Sequence, residues 1–171
     1  MIVKGKKLLP MAFALAAALF VAACGNTGGG GSSSTSVGGS TAPAPPTVPF
    51  AEAKFAFAPV TGAPATVLTR LSAELGKEAY IQHVSLVPSG DTAATYVVKG
   101  YLSALGDTSG TILVYVWDIF DTSGRRVHRI SGQETSAGGS QSDPWSGVDS
   151  STTANVARRT ISSIVAWGNA R

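Results

Sequence analysis

The sequence predicts an α+β domain: one mixed sheet of about five strands with two helices on one face, in the order β-α-β-β-β-β-α. Three observations predict it. Phe55 and Phe57 alternate along FAEAKFAFAPV, and apolar positions at helical spacing follow it. Three strand-like runs then succeed one another across short Gly/Asp/Ser turns. The chain closes on a second run with helical spacing. Two helices in a chain of antiparallel hairpins imply a sheet with its helices gathered on one face.

Residues 50–60 read as the first strand, broken by Pro59, Gly62 and Pro64. Pro64 suits the first helical position, where its missing N–H costs nothing. Val67, Leu68, Leu71, Leu75 and Ala79 then form one apolar helical stripe. Residues 80–87 read as a second strand, ended by Pro88-Ser89-Gly90-Asp91. Residues 94–105 are the third, with Tyr96, Val98 and Leu102 on one side and Val97, Lys99 and Tyr101 on the other. A hairpin connection over 106–110 leads into TILVYVWDIF, residues 111–120, which is apolar on both faces and so reads as a central strand. Asp121-Thr122-Ser123-Gly124 makes the next turn. Residues 125–134 are a fifth, more polar strand nearer the edge, and 135–142 a loop. Asp143-Pro144 or Asp149-Ser150 caps the last helix, whose stripe is Ala157, Ile161 and Ile164, with Val165 beside it and Trp167 toward its end. The first strand, crossing through a helix, is expected to run parallel to a later one.

Ahead of this domain the chain has a different composition. Residues 1–7 are short and basic, and residues 8–23, LLPMAFALAAALFVAA, are apolar and uncharged. That order is a secretory signal. The run of 16 residues falls short of the ~20 needed to cross a bilayer, and Pro10 weakens it further. Val21-Ala22-Ala23-Cys24 resembles a bacterial lipobox. The resemblance implies cleavage before Cys24, a thioether-linked diacylglycerol on its sulfur, and an acyl chain such as palmitate on the new N-terminus. One acyl chain holds a protein only marginally, whereas several on one residue hold it stably. Cys24 is the sole cysteine, so no intramolecular disulfide forms. Residues 24–49 are then a lipidated cysteine and a Gly/Ser/Pro-rich tether without charge, a spacer whose prolines (Pro43, Pro45, Pro46 and Pro49) stiffen its end. The expected layout is signal peptide 1–23, tether 24–49 and α+β domain 50–171.

The formal charge of +3 belongs to the leader. Without Lys4, Lys6 and Lys7 the 13 basic residues fall to 10, matching the 10 acidic ones, so the charge implies no nucleic-acid partner.

Candidate chemistry in the domain is sparse. His128 lies beside Arg125, Arg126 and Arg129, with Asp118, Asp121 and Glu134 near in sequence. The arginines read as a solvated edge that resists aggregation, or as a site for an acidic partner. Acid–base work needs groups within hydrogen-bond reach, and the spacing does not establish that. His83 and His128 lack metal-ligand spacing, no nucleophile elbow is present, and the glycine run at 28–31 precedes no strand–helix unit. Trp145 is the candidate exposed aromatic anchor, while Trp117 and Trp167 read as core.

FAFAPVTG, ATYVVKG (residues 94–100) and a strand leading into Asp121-Thr122-Ser123-Gly124 resemble small envelope lipoproteins of proteobacteria. The arrangement is similar to the periplasmic domain shared by lipoprotein activators of penicillin-binding proteins, the curli secretion channel subunit and the N-terminal domain of TolB. The resemblance implies a lipid-anchored, periplasm-facing binding module with no cofactor or metal beyond its covalent lipid. There are no channel-forming insertions. Gly25 stands where many inner-membrane lipoproteins carry aspartate, which favours the outer membrane. The expected function is a non-catalytic adaptor for another envelope protein. The alternative is a small envelope enzyme or glycan-binding protein using His128 and the nearby carboxylates.

Overall fold

A computed structural model of the protein describes residues 44–170. The expected signal peptide, Cys24 and most of the tether lie outside the described residues. The elements are β1 (Lys54–Phe57), α1 (Ala65–Ile81), β2 (Ser85–Leu86), β3 (Tyr96–Gly106), β4 (Thr111–Phe120), β5 (Arg126–Ser136) and α2 (Ser150–Gly168), with 3-10 turns at Phe50–Glu52 and Pro144–Gly147. The fold is the α+β arrangement read from the sequence.

The sheet order is β2-β1-β3-β4-β5. β1 runs parallel to both neighbours, Phe55 pairing with Leu86 on β2 and with Tyr96 on β3. β3, β4 and β5 are antiparallel, and β4 is central to them: Trp117 pairs with Gly100 on one side and Ile130 on the other. Period-two alternation places Phe55, Tyr96, Val98, Leu113, Trp117 and Ile119 on the covered face, all buried. The helices bring Val67, Leu71 and Leu75 from α1, and Val156, Ile161 and Ile164 from α2, into the same core.

Three local expectations are corrected. The first strand is four residues long, not eleven: Phe50–Glu52 forms a 3-10 turn, and Pro59 has no N–H for the ladder. The chain still follows β3 beyond it, through Ala58 N–H to Val98 O (2.9 Å) and Thr61 N–H to Gly100 O (3.1 Å). The second strand shrinks to Ser85–Leu86, because Tyr80 and Ile81 complete α1. That helix ends with His83 in the left-handed region, φ 57°. Val84 N–H bonds Ala79 O and His83 N–H bonds Tyr80 O, which satisfies two terminal carbonyls. The third correction concerns Ala44–Pro49. This end of the expected tether is docked on the domain, with Ala44 and Val48 packed against the core.

Of the two candidate caps, Asp149 starts α2. Its carboxylate accepts Thr152 N–H (2.7 Å) and the hydroxyls of Thr152 and Ser151 (both 2.8 Å). These bonds, the Thr152 N–H foremost, lower its pKa to about 2. Asp143 caps the preceding 3-10 turn instead.

Candidate functional site

Alternation that buries one side chain of a strand exposes the next, and among the described residues no helix covers the second face of the β3–β4–β5 sheet. β3 presents Lys99, Tyr101, Ser103 and Leu105 there. Tyr101 is 47% and Leu105 58% exposed, large side chains left open on this face. β4 supplies the half-buried Ile112, Val114, Val116 and Phe120, and β5 contributes Arg126 and Arg129.

The charges on this face are organised around Asp118. Its register partner Arg129 binds it with two parallel hydrogen bonds, Nε to Oδ1 and Nη2 to Oδ2, both 2.7 Å. Arg126 Nη1 stands 3.6 Å from Oδ1. The Arg129 bonds hold the Asp118 carboxyl below the ordinary range against a partial opposing effect of burial, and Asp118 raises the Arg129 pKa in turn. Lys99 places its ammonium 4.7 Å from the centre of the Phe120 ring. Lys99, Arg126 and Arg129 against the single carboxylate of Asp118 leave this end of the face positively charged.

The other candidates disperse. Arg125 belongs to the turn, where Asp121 accepts its backbone N–H (3.0 Å) and Nε (3.2 Å). Asp121 also accepts the Ser123 hydroxyl (2.6 Å), the main cause of its lowered pKa. His128 points to the helix side, stacked on Trp167 with ring centres 5.3 Å apart and planes 4° from parallel. Burial lowers its pKa, and its Nδ1 has no hydrogen-bond partner among the described residues. Glu134 forms an ion pair with Arg159 (2.5 Å) whose N–H is not aligned as a hydrogen bond. Trp145 is half-buried against the core. The groups invoked for an acid–base site thus divide between two faces: His128 lies opposite Ile119 on the covered face, and Asp118 opposite Arg129 on the open one. Among the described residues no three His, Cys, Asp or Glu side chains converge as a metal site.

Sequence reasoning named the arginines but not Tyr101, Leu105 and Lys99 as their companions. The signal was the alternation along β3, which had already put Lys99 and Tyr101 on one side. A separate apolar groove of about 540 Å³ lies between α1 and the ends of β1 and β2, lined by Phe57, Val60, Leu68, Leu71, Leu75 and Leu86. No described helix is long and apolar enough to cross a membrane.

No protein-family model matches the chain, and no curated protein matches it. Among solved structures it is similar to the PelC dodecamer from Paraburkholderia phytofirmans at 14% identity and a TM-score of 0.43. A methionine variant of that dodecamer gives 15% identity and a TM-score of 0.40. Each alignment covers 68% of this chain and 91% of the other. At that distance the likeness says nothing of what this chain binds.

Proposed function

We propose that this chain is a lipid-anchored protein of the cell envelope, facing the periplasm and seated in the outer membrane. In this reading it is a non-catalytic adaptor that binds another envelope protein through its open sheet face. One observation carries the binding assignment: Tyr101 lies exposed on the open sheet face beside the Asp118–Arg129–Arg126 cluster, with Leu105 exposed further along β3 where it pairs with Ile112. Exposed tyrosine and arginine around a nearly dry centre are the composition of interface hot spots. The excess positive charge suits a partner surface that sets carboxylates among apolar side chains. The anchoring assignment rests on the basic leader, the apolar run and the lipobox-like border at Cys24. The acid–base alternative is disfavoured by the separation of His128 from Asp118 and by the commitment of Asp118 to Arg129.

The test is photo-cross-linking in cells, with the reactive residue placed at position 101 or 105 and, as a control, at Tyr80 on the far end of α1. One envelope protein captured from 101 and 105, not from 80, and lost with Cys24→Ala, is the expected result. Normal acylation and abundance without any adduct from the sheet face would refute the adaptor reading.

A further inference from the structure

Gly76 stands in the interior of α1, where glycine is the poorest choice after proline. Neither backbone nor packing asks for it. Its φ lies outside the left-handed region, and a Cβ there would meet nothing within 4 Å, unlike one at Gly100, whose space the Trp117 ring fills. The bare turn opens the rim of the apolar groove between α1 and the ends of β1 and β2. Phe57 and Leu68 are only half-buried in its walls, and Leu86 is 37% exposed. No charged residue lines the groove, and Ser72 and Ser89 contribute hydroxyls to it.

Tyr80 lies one turn beyond Gly76 on the same side of the helix. It is 85% exposed, the most open large hydrophobic side chain among the described residues. Long side chains on a helix lean toward its N-terminus, so this ring would ordinarily cover the turn at Gly76. It does not, since no side-chain atom comes within 4 Å of the space a Cβ would take there. The charged residues of α1 lie elsewhere. At 3.6 residues per turn Arg70, Glu74, Lys77 and Glu78 fall on the other side of the helix, and Lys77 pairs with Glu74 there (3.5 Å).

We propose that this side of α1 is the interface with a second copy of the chain, in which each Tyr80 seats in the groove of the other at Gly76. The knob and its socket stand four residues apart on one helix, so the surface is complementary to itself. Two α1 helices packed antiparallel about a two-fold axis at the level of Glu78 set both Tyr80 rings against both Gly76 turns, and the contact closes at two chains. The groove supplies apolar walls for the ring and serine hydroxyls for the phenol, the two needs of a buried tyrosine. The same packing brings no like charges together, because the meeting surfaces carry none. The assignment is independent of the sheet-face reading and of the lipid anchor.

The test is photo-cross-linking of the full chain in cells, with a reactive aromatic residue at position 80. The expected product has twice the mass of the chain, and its cross-link maps to residues 68–76 or 86–89 of the second copy. Such a self-adduct is distinct from any protein captured from the sheet face. Gly76→Leu fills the receiving space and favours the helix, so it should melt no lower than the wild-type chain and cut the self-adduct by at least about tenfold. If that variant does not fold, Ser72→Glu, which sets a charge at an exposed position of the groove, serves the same comparison. No self-adduct from position 80, a cross-link that maps outside the groove, or an undiminished yield in a folded variant overturns the proposal. Capture of a different protein from position 80 also overturns it, by making that protein the occupant.

Discussion

Trp117 on β4 and Gly100 on β3 are direct cross-strand partners, and the indole occupies the space a side chain at position 100 would need. The same relationship recurs on the other side of β4, where the Tyr115 ring covers Gly132. Each glycine makes room for an aromatic ring, and each ring covers backbone that the glycine leaves bare. Phe57 meets Trp117 edge-on at 5.5 Å and completes the layer.

Gly100→Ala therefore forces the indole to shift inside a packed core. Overpacking of this kind costs about 1–3 kcal/mol. Urea denaturation should show a lower midpoint with an unchanged slope, and Gly124→Ala, where a Cβ meets open space but φ is 77°, should lose less than Gly100→Ala.

His83 adopts a left-handed conformation at the end of α1, which disfavours any residue with a Cβ by about 1–2 kcal/mol. Its side chain is exposed and its backbone already makes the terminal hydrogen bonds. His83→Gly should raise stability by about 1 kcal/mol in the same denaturation series, with no change in the fold.

His128 is held neutral by burial against Trp167, so its folded pKa lies below its unfolded value of 6.5. The unfolded chain then binds more protons as the solution acidifies. Stability is fully present above pH 6.5 and falls as pH drops through the lower folded value. His128→Phe should remove that part of the pH dependence, which thermal melts between pH 5 and pH 7.5 will read.

The carboxylates give a second acid limb with the same sign. Asp118 and Asp149 both have lowered pKa values, so their contributions are present above the ordinary value of 3.8 and are lost below it, for Asp149 through about pH 2. Asp149→Ala should cost about 1 kcal/mol at neutral pH as a lost helix cap. Asp118→Asn should flatten the stability loss below pH 4 while leaving Arg129 without its two-point partner.

Much of the fold was legible in the residues because the relevant signals are local. Alternation marked β3, β4 and the open face that carries Tyr101. The helical spacing of Leu71, Leu75 and Ala79, and of Ala157, Ile161 and Ile164, marked both helices, and the apolar character of β4 on both sides marked its central place. Boundaries set by competing local geometries were less legible. Tyr80 and Ile81 have strand-like side chains, yet the hydrogen bonds around His83 keep them in α1.

The sequence by itself determined the α+β class, the order of the elements and which side chains of β3 and β4 share a face, since these follow from periodicity and turn chemistry along the chain. In β5 strict alternation would put Arg126, His128 and Ile130 on one face, and the register shift opposite Ile119 and Phe120 instead sends Arg126 to the open face and His128 to the covered one. Tertiary structure alone decided the pairings. It joined Asp118 to Arg129 on one face and sent His128 to Trp167 on the other, because strand register, not sequence distance, sets which side chains meet. It also turned the last residues of an apparent spacer into a docked strap, because the hydrogen-bond partners of Ala44 and Thr47, the Trp167 indole N–H and the accepting Tyr96 hydroxyl, lie far along the chain.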